Sequence, residues 1–322
     1  MSGRTGFLVI DKPVGLTSHD IVGMVRAITG IKKVGHTGTL DPFATGVLPL
    51  AIGRCTRLIR FLDEDLKVYD ATIALGASTD TGDHTGTVEV EAPVPELTED
   101  QVCQVLAGFS GVRMQTPPRY SAVKVKGKAL YKYAREGKDV TAAARPVRID
   151  EIGLIALAGP QLRVRIQCGR GTYARVLANE IAEELGTVGH LSALRRDRSG
   201  IFTADGAIGL DPVAQMVAGR EGWQEVLRPA RGAERVQWAP KDQVWAALSA
   251  HVLSPEQVLG HLPTMPLSSG QADLLLRGGA APAAPTEVAV GEHFLAWCED
   301  RALAVIRREE KGTKVARMIA TR

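Results

Sequence analysis

The twelve residues GHTGTLDPFATG, Gly35 to Gly46, hold three glycines, His36 and Asp41, with neither a helical period nor a strand alternation. Such a stretch could cradle a phosphate, ligate a metal or present a single carboxylate. A Walker-type loop needs Gly-Lys-Ser/Thr, and no lysine follows Gly38 or Gly46. The dinucleotide pattern G-x-G-x-x-G follows none of the expected strands. A metal needs partners at ligand spacing, which His36 and Asp41 lack. An oriented carboxylate remains. Pro42 pushes Asp41 away from helical backbone angles, and the glycines permit tight turns and the close approach of a large ligand. Leu40, Phe43, Val47 and Leu48 supply an apolar surround. One carboxylate without an acid partner suits a nucleophile better than a general acid–base pair. The residues fit equally well an Asp41 that caps a turn through an Asx bond.

The elements that must hold this loop are legible on both sides of it. GFLVI (6–10) reads as a short buried strand, and Ser18 as the cap of a helix carrying Ile21, Val22, Val25 and Ile28 on one face. Residues 31–53 read as loop-rich, and TRLIRFL (56–62) as helical. KVYDATIALG (67–76) alternates as a strand with Tyr69, Ala71, Ile73 and Leu75 on one face, and GTVEVEA follows as another. Thr98 and Gln101 form a capping box. Strands at about 146–157 and 161–168 flank a Gly159–Pro160 turn, and a helix spans about 172–185, with Gly186 at its end. No regular βαβ repeat appears, which predicts a mixed, largely antiparallel sheet. Composition shifts after about residue 228. RPARGAERVQWAPKD and GGAAPAAPTE read as linker or long loop, and the last 60 or so residues as one short helix, QADLLL, with three short strands.

The 322 residues allow two domains on a soft prior of about 150 each. Four scattered cysteines and the absence of an apolar leader or a run of about 18 apolar residues predict a reducing, cytoplasmic setting without membrane spans. The net charge of +3 conceals a segregation. Residues 61–100 carry eleven acids and one lysine, whereas 111–150 carry ten Lys/Arg and three acids. That stripe predicts a polyanionic partner, with a solvated charged face as the plainer alternative.

GHTGTLDPFATGVLPLAIG resembles the signature of the TruB family, the synthases that make pseudouridine at position 55 in the T loop of tRNA. In the same order, LVIDKPVGLTSHDIV resembles the family's first motif and KVYDATIALGASTDTGDHTG its second. QTPPRYSAVKVKGKALYKYAREG resembles its RNA-gripping insertion, and CGRGTYARVLANEIAEELG and HLSALRRDRSG its last two motifs. The resemblance covers about residues 7–200. Residues 201–322 match weakly and stand where the family has a PUA-like domain.

This resemblance implies an α+β pseudouridine synthase fold, a mixed and mainly antiparallel sheet flanked by helices. Residues 1–245 would be the catalytic domain, with the insertion at about 113–145, and 250–322 a small β-rich PUA-like RNA-binding domain. It implies tRNA, held by its T arm, as partner, with no cofactor, metal or protein partner. The uracil is detached from C1′ at N1, turned and rejoined through C5. Asp41 matches the catalytic aspartate, and whether it attacks C1′, attacks C6 or takes a proton to give a glycal stays open. Tyr69 matches a tyrosine that stacks on the uracil and is a candidate to remove the C5 proton; its alternation with Ala71 also fits a core residue. Arg175 matches the aspartate's partner, although the helical period puts it off the Tyr173/Leu177/Ile181 face, where a solvated arginine would sit. His36 matches a histidine that helps displace the base, Lys12 a lysine near the catalytic loop and Leu194 a wall of the uracil pocket. Tyr173 fits core and substrate side alike. The alternatives are a synthase for another RNA site and a non-catalytic tRNA-binding or chaperone protein. A glycosidase is disfavoured, because no second carboxylate accompanies Asp41.

Overall fold

The computed structural model of the chain describes residues 4–63, 66–228 and 236–320. Ten strands form one large sheet. Its main path runs Val252–Leu253, Gly6–Lys12, Thr45–Ile52, Gly189–Ser199, Lys67–Leu75, Gln161–Cys168, Arg145–Ala158 and Gly111–Gln115. Every pairing in it is antiparallel except one short parallel contact, where Arg195 faces Thr45 and Arg196 faces Gly46. The expected mixed, mainly antiparallel sheet is therefore present, and that parallel contact joins the strand leaving the glycine-rich loop to the rest of the sheet.

Helices Ser18–Thr29, Glu99–Ala107, Ala174–Glu184, Leu210–Ala218 and Lys241–Ser249 bury their apolar stripes in the core on one face of this sheet. In the first, Ile21, Val22, Val25 and Ile28 point inward as their spacing requires. Its cap is Thr17, boxed with Asp20, one residue earlier than expected. Ser18 is thereby free to hold the neighbouring loop. Its Oγ accepts from Leu40 N–H (2.9 Å) and donates to Leu40 C=O (3.1 Å). The Thr98–Gln101 capping box forms as expected, and Gly159–Pro160 joins the long hairpin Arg145–Ala158 and Gln161–Cys168.

Two expectations fail locally. Residues 31–53 are not all loop, because Val34–His36 and Thr45–Ile52 are strands. The latter is a continuous apolar run buried on both faces, which has no alternation to reveal it. The stretch read as helical at 56–62 forms two 3-10 turns, Gly53–Arg57 and Ile59–Phe61.

Val252–Leu253 pairs with Gly6–Lys12 at the edge of the large sheet, before the chain builds a second, four-stranded one. That sheet comprises Thr264–Pro266, His293–Cys298, Arg301–Glu309 and Gly312–Met318, with helix Ser269–Leu276 against it. Strand Arg301–Glu309 is buried on both sides. Leu303, Ala304 and Ile306 pack within the small sheet's core. Ala302 and Val305 join Phe7, Val9, Val47, Ala51, Leu58 and Phe61 on the reverse face of the large sheet. An apolar seam thus holds the two sheets together. Of the expected linker at 228–242, residues 229–235 lie outside the described residues; 236–240 have no regular structure and Lys241 starts a helix.

Candidate active site

Asp41 sits between two strands in a loop strapped from several sides. A turn closes on its own backbone, Ala44 N–H donating to Asp41 C=O at 3.1 Å. Pro42 C=O accepts from Gly15 N–H (2.8 Å) and from the Lys12 ammonium (3.2 Å). Ser18 holds Leu40 as described. Since the backbone closes the turn, the carboxylate is left for something else, and the Asx reading is not what forms.

That something is Arg175. Its Nε donates to Asp41 Oδ2 at 2.9 Å and its Nη2 to Oδ1 at 3.3 Å, a two-point grip on the carboxylate plane. Nη1 donates to Thr81 C=O (2.7 Å) and Nη2 also to Tyr120 C=O (2.9 Å). Arg175 is 4% exposed. The helical period had placed it outside the core stripe, but the loop Thr79–Gly86 and the segment at Tyr120 fold over this side of the helix. Gly82 permits the overlay: its φ is +72°, and a Cβ there would lie 3.3 Å from Arg175 Cβ. Asp83, buried and held by Thr81 and Thr85 hydroxyls, brings a second carboxylate to 4.0 Å from Arg175 Nε. One arginine thus stands between two carboxylates.

Burial pushes the Asp41 carboxyl above the ordinary range, Arg175 pulls it back, Asp83 pushes it up again and Lys12 helps to lower it. The side chain remains 34% exposed, so a ligand can reach it. The expectation that no second carboxylate accompanies Asp41 fails, because packing over the helix brings Asp83 to the same guanidinium; Asp83 is buried, so of the two only Asp41 is reachable from outside. Of the apolar residues expected around it, Leu40, Phe43 and Leu48 belong to the core on this side; Val47 points through the sheet to the reverse-face cluster.

Five other candidates remain. Lys12 is wholly buried; its ammonium donates to the carbonyls of Pro13, Leu16 and Pro42, and burial lowers its pKa to about 8. It acts on the loop through Pro42. Tyr69 lies on Lys67–Leu75 directly across from Arg196 and packs partly buried against the main core. Burial raises its hydroxyl pKa, while a hydrogen bond and the charge from Arg196 oppose the rise. His36 is kept neutral by burial, aided by the charges of Arg196 and His19, and its Nδ1 is buried without a partner. Leu194, 7% exposed, lines a cleft of about 380 Å³ with Val14, Phe43, Thr45 and His84. Tyr173 is the N-cap residue of the helix that carries Arg175: its backbone exchanges two hydrogen bonds with the Gln115 amide, and its ring lies 5.3 Å from the Arg145 guanidinium at the edge of the basic segment.

Sequence reasoning missed Asp83, Ser18 as a loop clamp, and Arg196. Arg196 carried a signal: two positions beyond Leu194 on a strand, it shares that residue's inward face. No group of His, Cys, Asp and Glu among the described residues could hold a metal.

Comparisons with known proteins place the chain as a whole. The family model for TruB family pseudouridylate synthase, N-terminal domain, matches residues 26–174. A tRNA pseudouridine synthase B of Geobacter sulfurreducens is 41% identical over 273 residues, which are 85% of this chain and 81% of that protein. Another, of Geotalea uraniireducens, is 47% identical over 218 residues, 67% of this chain and 70% of that protein. Among solved structures, a Cbf5-Nop10-Gar1 complex contains a chain similar over 99% of this one and 84% of its own length, with a TM-score of 0.68 and 25% identity. The chain belongs to the TruB family of pseudouridylate synthases.

Proposed function

We propose that the chain isomerises uridine to pseudouridine in tRNA, at position 55 of the T loop, with Asp41 as the carboxylate that opens the N-glycosidic bond. The observation that carries this is the two-point Arg175–Asp41 pair in a strapped loop, with Asp41 still accessible. The reaction balances within the substrate. The N1–C1′ bond breaks, the base turns, a C5–C1′ bond forms, C5 loses its proton and N1 gains one. Attack at C1′, attack at C6 and proton removal to a glycal all require an ionised Asp41, which Arg175 favours. Tyr69 offers a ring for stacking on the flipped base and a hydroxyl for the C5 proton. Leu194 and Phe43 offer an apolar wall, and the neutral His36 a ring to take the place of the displaced base. Flipping the uridine costs a few kcal/mol, roughly what a stacking contact and pocket hydrogen bonds return.

The basic insertion suits the phosphates of the T arm. Lys124, Lys126 and Lys132 are exposed, and Tyr131 and Tyr133 lie beneath Arg135 and Lys128. We take residues 250–322 as a PUA-like module that extends this grip. A tRNA substrate suits the cytoplasm, and no helix among the described residues is long and apolar enough to cross a membrane.

The test is pseudouridine mapping of a T-arm RNA after incubation with the purified protein, beside an RNA in which that one uridine is replaced. Conversion at position 55 alone supports the assignment. Conversion elsewhere redirects it to another RNA site, and binding without conversion leaves a tRNA-binding protein.

A further inference from the structure

We propose that Arg196 is a positioning residue of the active site: one buried guanidinium fixes the loop that presents Asp41 and the Tyr69 hydroxyl relative to each other. This inference rests on the proposed function.

Arg196 is 1% exposed and is the largest of the fully buried side chains. Its Nη2 donates to Gly38 C=O (3.3 Å), Nη1 to Thr39 C=O (3.3 Å) and Nε to Val47 C=O (2.9 Å). The first two carbonyls precede Asp41 and the third follows it, so one planar group clasps both flanks of the loop. Its backbone does the same at the loop's end. A Cβ on Gly46 would come within 2.2 Å of Arg196 C=O, and Gly46 has φ +101°. The last glycine of GHTGTLDPFATG is therefore required by the backbone at position 196, which brings the strand bearing the guanidinium against the loop's end. Across the other side of its strand, Arg196 stands opposite Tyr69 in the sheet register.

Among the described residues no carboxylate lies within ion-pair distance of this guanidinium. Its charge is held by carbonyl dipoles from the loop, and moving the loop would strand a buried cation, which costs far more than losing a neutral hydrogen bond. The loop is thus stiffened by a charge it must solvate. Burial works against ionising Tyr69, and the Arg196 hydrogen bond and charge offset part of that. The same group that aims the carboxylate therefore conditions the hydroxyl suited to the C5 proton. Lysine could not match it: three donors on a flexible stem do not reproduce a planar fork that spans three carbonyls.

The experiment compares wild type, Arg196→Lys and Arg196→Gln, measuring kcat and KM on a T-arm RNA, the pH profile of kcat, melting temperature, and the titration of Tyr69 by NMR with 13Cζ-labelled tyrosine. The expected result is a folded protein with KM little changed and kcat down about a hundredfold in Arg196→Gln, as a displacement of about 1 Å produces. Arg196→Lys should recover only part of this. In Arg196→Gln the Tyr69 titration, and with it the limb of kcat that rises as Tyr69 ionises, should both move to higher pH. A merely structural arginine would lower the melting temperature while leaving kcat at permissive temperature, its pH profile and the Tyr69 titration unchanged, and that result overturns the proposal. Failure of both variants to fold overturns it too, since Arg196 is then a folding residue. If wild type itself forms no pseudouridine, the proposed function has failed instead.

Discussion

Two regions of this molecule are rich in positive charge and use it in opposite ways. Around the loop Gly35–Gly46, Lys12, Arg175 and Arg196 are buried, and each spends its donors on named carbonyls or on Asp41. In the segment 111–150 most of the ten Lys/Arg are exposed, and their ion pairs lie at the surface: Glu136 between Lys128 and Lys138, Arg148 on Asp150, Arg119 at 3.9 Å from Asp139. A buried cation must be saturated by the protein, so it fixes geometry. An exposed cation keeps its water, contributes little to stability, and remains available to a phosphate. On the proposed function, charge near the loop would set the rate of the chemistry and charge in the insertion the grip on the substrate.

The largest expected effect is at Asp41. Asp41→Asn keeps the shape and removes the charge, so kcat should fall by at least on the order of 10⁴, with RNA affinity little changed. Sustained pseudouridine formation by a folded, RNA-binding Asp41→Asn protein would end the catalytic reading.

Next comes Arg175→Gln. It leaves Asp41 and Asp83 without their shared cation, and kcat at neutral pH should drop about 10²- to 10³-fold. The sign of the pH effect follows from Asp41, whose folded pKa is already raised by burial and is held down by Arg175. On the proposed function the ionised form is the active one, so activity should be lost as pH falls through that pKa. Removing Arg175 raises it further and shifts the acid limb of kcat to higher pH. An acid limb that stays in place would show that Asp41 does not titrate in the reaction. Denaturant melts should also lose about 3 kcal/mol, the low end for a broken buried pair, because Asp41 keeps part of its exposure.

Ser18→Ala probes the loop without touching any charge. It removes two buried hydrogen bonds to Leu40 and strands the Leu40 N–H beside Asp41. The stability cost should be about 1–3 kcal/mol, and kcat should fall by about tenfold as the loop loosens. Unchanged kcat at a temperature where the variant is folded would mean that the loop tolerates slack.

The smallest effect on turnover belongs to the insertion. Lys124→Ala, Lys126→Ala and Lys132→Ala should leave kcat at saturating RNA unaltered. For each phosphate that is no longer neutralised, the salt slope of binding should shrink by about 0.7–0.9. A kcat collapse at saturation in any of them would erase the division between the two regions.

How much of this was legible in the sequence depended on whether the cause was local. Helix Ser18–Thr29 showed its period, Thr98 and Gln101 their box, and Gly159–Pro160 their turn, because each depends on residues within a few positions of one another. The glycine-rich loop was visible for the same reason, and elimination narrowed its role to presenting a carboxylate or closing a turn. Choosing between those two required Arg175, 134 residues away, and its resting place contradicted its own helical period. Strand Thr45–Ile52 was hidden because burial on both faces removes alternation. Ser18 looked like a cap because its type favours one, and it became a clamp because Thr17 stood one place nearer and Leu40 lay in reach. The sequence by itself determined which side chains could react and which segments would bend. Only the tertiary structure decided which buried charges those side chains would face, because the partners of a desolvated group are chosen by packing across the sheet.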